Sequence, residues 1–129
     1  MAKVRSEDLV QKLADQIVGR LNQKNLEEIE IAHSNSEVGG SLILIKDGSW
    51  KVTSNRRNSY VLKGPTIKEL LKKYARLEDK GFHTSVGSAD MYDSDEMYER
   101  KSERYVKEHH NELLDKFIGR LRSILTERL

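Results

Sequence analysis

Residues 95–129 constrain the chain more than any other segment. They form a run of 35 positions with no proline and a single glycine, Gly119, filled mainly by Glu, Lys, Arg and Leu. Such a run predicts one long helix. At about 1.5 Å per residue that helix would reach roughly 50 Å, whereas a domain of this length has a diameter of roughly 35 Å. It must overshoot its own domain or bend. Its apolar residues gather in the second half, and Leu114, Phe117, Leu121 and Ile124 are spaced three, four and three apart, a seam suited to pairing with another helix. Two occupants suit that seam. One is the chain's own first helix, which makes the four residues core. The other is a second copy, which makes them the interface of a homodimer.

Earlier in the chain the period changes several times. Leu9, Val10, Leu13, Ala14, Ile17, Val18 and Leu21 form one helical face behind a capping Ser6, with Glu7 and Asp8 placed where the helix dipole is positive. Ile29 and Ile31 then alternate with Glu28 and Glu30 as a strand exposed on one face. Residues 41–46 form an apolar run suited to a central strand buried on both faces, and Asp47-Gly48 predicts a hairpin back through residues 50–53. Tyr60, Val61 and Leu62 read as a fourth strand. Pro65, the one proline, opens a second helix with Ile67, Leu70, Leu71, Tyr74 and Leu77 on one face and Lys68, Lys72, Lys73 and Arg76 opposite. Residues 82–94 carry no period and are expected to be loop. The order predicts a single α+β domain over residues 1–129: an N-terminal helix, a small antiparallel sheet of three or four strands, a second helix and the long C-terminal helix, the last used for packing and oligomerisation.

Composition narrows the chemistry. With no cysteine there is no disulfide framework, Cys-based zinc site or thiol nucleophile, which fits a cytoplasmic protein. The longest apolar run, residues 42–45, is far short of the roughly 20 residues of a membrane span, so no membrane association is expected. The four histidines match no metalloprotease spacing, since His109 and His110 are adjacent and not four apart. No Gly-x-Ser-x-Gly elbow accompanies the serines. The expectation is therefore no catalytic residue, no metal and no cofactor.

Charge is small in total, +2, but uneven: residues 46–80 hold ten bases against four acids, and residues 90–99 carry five acids and no base. In the basic block, Arg56 and Arg57 are suited to bidentate binding of a phosphate or carboxylate, alone or with the small residues of loop 82–88. Lys72 and Lys73 extend the positive field, and Trp50 supplies a ring on which a base can stack. A further pattern links the ends of the chain. Residues 13–21 and 113–121 share five identities in nine positions, including Gly-Arg inside each amphipathic helix. Glycine is costly there, so Gly19 and Gly119 are expected to mark close helix crossings, with Arg20 and Arg120 reaching a carboxylate such as Asp15 or Asp115. The function expected from these features is a non-catalytic protein-interaction or regulatory module of the kind phages and mobile elements carry. It would be a homodimer with an acidic protein partner. The alternatives are nucleic-acid binding through residues 46–80 and binding of a phosphate-bearing small molecule.

Overall fold

The chain opens with α1, Ser6–Gln23, whose Val10, Leu13, Ala14, Ile17 and Leu21 are buried as the four-residue spacing requires. The helix stops because Asn25 adopts a left-handed backbone, φ 57°. The Leu26 N–H then reaches the Leu21 carbonyl at 2.8 Å and the Asn25 N–H reaches that of Asn22 at 3.3 Å. The structure, a computed structural model, describes residues 6–34, 39–54 and 59–129.

Four strands follow, β1 (Glu28–His33), β2 (Gly40–Ile45), β3 (Trp50–Ser54) and β4 (Tyr60–Leu62), paired antiparallel in chain order. Alternation places Ile29, Leu42, Leu44 and Trp50 in the core, while Glu28, Glu30, Ile43, Lys51 and Val61 turn to the opposite face. β2 is buried through Gly40–Leu44, as its unbroken apolar sequence predicts. A bulge between Glu30 and Ala32 lets both Ile31 and Ala32 bury. The hairpin at Asp47-Gly48 forms, though not as a two-residue primed turn. Only Gly48 has positive φ (90°), and its N–H bonds the Ile45 carbonyl at 2.9 Å, giving a three-residue loop. The Ser49 hydroxyl and N–H both donate to the Asp47 carboxylate, which holds that exposed group below its ordinary carboxylate range.

α2 (Ile67–Glu78) starts with a capping box in which Thr66 accepts from the Glu69 N–H and Glu69 reaches back to Thr66. Residues 82–94 depart from the expected loop. Asp79 caps a short α3 (Lys80–Ser85) by accepting from the Gly81 N–H at 2.8 Å, Phe82 and Val86 are buried, and a 3₁₀ turn occupies Ala89–Met91.

Residues 95–129 are helical, as expected, and they bend. α4 spans Asp95–Glu108 and α5 spans His110–Glu127, with His109 between them at φ −115°, ψ 21°. His109 is neither proline nor glycine. Its ring stacks on Tyr105 at 4.1 Å, and its Nδ1 sits 3.0 Å from the Tyr105 carbonyl that would otherwise serve the helix alone. The bend settles the length conflict, because 14 and 18 residues make helices of about 21 and 27 Å, each within the diameter of one domain. α5 then lies along α1 and across α2, and α4 packs on α2. Phe117, fully buried, joins the layers through Tyr74 (5.3 Å, edge-on) and Trp50 (6.0 Å).

Candidate functional site

The seam residues Leu114, Phe117, Leu121 and Ile124 are all buried within the chain's own core. Of the two occupants the sequence allows, α1 together with α2 and the sheet is the one present, so these side chains leave no apolar stripe on display for a second copy. Trp50 likewise departs from its expected place on a binding surface. It is only 4% exposed, and its ring lies against Phe117, so it offers no stacking platform.

The basic block finds much of its acidic counterpart inside the molecule. Lys72 Nζ lies 2.6 Å from Glu99 Oε2 and 4.0 Å from Glu103, so the positive α2 meets the acidic first turns of α4. Burial alone would raise the Glu99 carboxyl. The Lys72 hydrogen bond and the charges of Lys72, Lys73 and Arg76 outweigh it and hold the group below its ordinary value. Arg76 sits over the Tyr98 ring at 5.2 Å and Lys73 over the Tyr60 ring at 5.6 Å. Lys73 therefore remains at the β4 edge, whereas Lys72 is largely spent on α4. Arg56 and Arg57 lie outside the described residues. The segment 82–88 expected to assist them is helix through Ser85, with Thr84 Oγ1 donating to the Lys80 carbonyl and the Val86 and Gly87 N–H groups taken by the Phe82 and His83 carbonyls.

Gly19 and Gly119 do not mark close crossings, since a Cβ added at either meets nothing within 4 Å outside its own helix. Their arginines reach backbone carbonyls instead of Asp15 or Asp115. Arg20 donates to the Leu129 carbonyl at 3.4 Å and Arg120 Nε to the Ile31 carbonyl at 2.7 Å. The second contact was not legible in the sequence, and it defines the clearest asymmetry in the molecule. Along the outer edge of β1, Arg120 takes the Ile31 carbonyl, Arg128 approaches the Glu30 carbonyl at 3.4 Å, and the His33 N–H donates to Glu78 Oε1 at 2.9 Å. That edge is closed by side chains. At the other edge, the Ile45–Ser49 bond sets the alternation, so that Trp50 and Val52 bond Leu62 and Tyr60 while Val61 turns its N–H and carbonyl outward. Among the described residues nothing bonds those two groups, and the side chains of Tyr60 and Val61 stand 46% and 48% exposed.

One cluster has the residue types of a nucleophilic site. Ser41, His33 and Glu30 meet on the outer face of the sheet, but Ser41 Oγ donates to Glu30 Oε2 at 2.7 Å, and His33 Nδ1 faces both groups, at 3.4 and 3.7 Å. Activation of a serine needs its proton on one ring nitrogen and the acid on the other. Here a single nitrogen faces both, and the serine proton is already given to the carboxylate. His109 is committed to Tyr105, and His110 Nε2 lies 3.2 Å from Glu7 Oε1. Among the described residues no group of three or more His, Asp or Glu is placed to hold a metal ion, and no helix is long and apolar enough to cross a membrane. No family model, curated protein or solved structure matches the chain.

Proposed function

We propose that the protein is a cytoplasmic, non-catalytic interaction module that binds an acidic, extended segment of a partner protein by strand addition to β4. The observation that carries this reading is the contrast between the two sheet edges. An open edge strand is a template for another strand, and proteins blunt edges by covering them, by bonding them to side chains, or by keeping them short and lysine-flanked. This chain places Arg120, Arg128 and Glu78 on β1 and leaves Val61 open on β4. The charge around β4 selects the partner: Lys63 follows it directly and Lys73 covers Tyr60, while Lys51, across the ladder from Val61, is already paired with Glu28 at 2.7 Å. Because β4 has only three residues, side-chain contacts with Tyr60 and Val61 must supply much of the affinity, as expected of a transient regulatory contact. The same lysines would oppose each other in a β4-to-β4 homodimer, which favours a partner of different composition.

A six-residue peptide of alternating Glu and Val, followed by fluorescence anisotropy, tests the proposal. The wild type should bind it and lose affinity as salt rises. Val61→Pro should abolish binding, because Val61 donates nothing to β3 and its loss of N–H affects only the added strand. Lys73→Glu should weaken it. Equal binding by all three proteins would contradict the proposal. A concentration-dependent doubling of mass that Val61→Pro removes would make a second copy the occupant, and duplex binding with a steep salt dependence would favour nucleic acid.

A further inference from the structure

We infer a second binding site, for a small polyphosphorylated molecule, in the groove between α2 and α4. It uses residues other than those at the β4 edge and does not depend on that proposal. The groove encloses about 630 Å³, within the roughly 300–1,000 Å³ typical of small-molecule sites. Cations line both walls: Lys68 and Lys72 on α2 face Arg100, Arg104 and Lys107 on α4, and His110 borders it where α5 begins. Only two carboxylates share the lining, Glu69 and Glu103. Glu69 is turned back to Thr66 in the capping box, and Glu103 stands in solvent, 70% exposed.

The state of the five cations decides what the groove can take. Lys72 is held by Glu99. Arg100 and Arg104 pair with Glu96 and Glu108 one turn away on the same helix, and all four side chains are well exposed. Such pairs contribute only tenths of a kcal/mol and exchange readily for a stronger anion. Lys68 and Lys107, on opposite walls, have no ion pair or side-chain hydrogen bond among the described residues. Two guanidinium groups that can fork onto phosphate oxygens and two unpaired ammonium groups across a gap fit several linked phosphates better than a single carboxylate. The first turn of α2 borders the groove at Thr66 and Lys68, which adds the positive end of that helix.

Titration calorimetry of the full chain with tripolyphosphate, and with sulfate at equal ionic strength, tests the site. Wild type should bind tripolyphosphate and not sulfate. The double variant Lys68→Glu, Lys107→Glu should lose about tenfold or more in affinity, since each reversed lysine removes a charge-assisted contact. Lys68→Arg, Lys107→Arg should retain binding, and so should Lys24→Glu, outside the groove. Lys68 and Lys107 are both exposed, so the far-ultraviolet spectrum of each variant should match wild type. If the Glu variant misfolds, Lys68→Ala, Lys107→Ala gives the same comparison without reversed charge. Equal responses to sulfate and tripolyphosphate, or unchanged affinity in the folded double variant, would overturn the site. Binding of a duplex oligonucleotide without binding of tripolyphosphate would also overturn it.

Discussion

Gly19 and Gly119 occupy helix interiors in open surroundings, while Gly40 sits where a Cβ would come within 2.2 Å of the Thr53 carbonyl oxygen. The three positions predict opposite responses to alanine. Gly19→Ala and Gly119→Ala should each stabilise the fold by about 0.5–1 kcal/mol through helix propensity and reduced freedom of the unfolded chain. Gly40→Ala should destabilise it by about 1–3 kcal/mol, because the blocking atom is backbone in a paired strand. Urea unfolding of the three variants checks this, and a loss of stability in the helix variants would mean those helices touch something else in solution. The sequence marks all three glycines equally. What separates them is the distance of the next strand or helix, which no local pattern encodes. The same limit applies to Arg120, whose partner is a carbonyl 89 positions away.

At the scale of elements, the junction of α3 with α4 is held by a tyrosine. Tyr105 donates to Asp79 Oδ2 at 2.8 Å while the other oxygen of that carboxylate caps α3. Burial, the hydrogen bond to Asp79 and the charges of Asp79 and Glu112 push the Tyr105 hydroxyl up to about 12 from the ordinary 10.0. The folded chain therefore holds this proton more tightly than the unfolded chain does. The resulting stability is complete below pH 10 and is lost as the pH rises from 10 through 12. Tyr105→Phe should cost about 1.5 kcal/mol at pH 8, the worth of a hydrogen bond to a charged acceptor. It should also lose less further stability than wild type between pH 10 and 12. Urea titrations at pH 8 and pH 11 measure both, and identical alkaline losses in the two proteins would contradict the assignment. Tyr105 also stacks on His109, the residue at which α4 gives way to α5. Helix propensity along residues 95–129 was legible, and so was the choice between overshooting and bending, but the position of the bend at His109 was not, since it involves no proline or glycine. α3 was missed for a related reason: six residues including Gly81, His83 and Thr84 carry too short a period to stand out.

For the whole molecule, the element order and the core were largely legible because amphipathic spacing reports which face each element buries. The seam of α5 was visible too, but spacing alone cannot tell whether a seam meets its own chain or another. The opposed charge blocks were legible as blocks, and only folding shows that α2 and α4 use part of them on each other through Lys72 and Glu99. With the α5 seam buried and the outer edge of β1 closed, the open β4 edge carries the proposed function. Residue-resolved amide hydrogen exchange on the free protein tests this most directly. The Val61 amide should exchange near the unprotected rate, while those of Tyr60 and Leu62 in the same strand, and of His33 at the guarded edge, exchange more slowly. A Val61 amide as protected as its two neighbours would mean that the edge is already covered, and would contradict strand addition at β4.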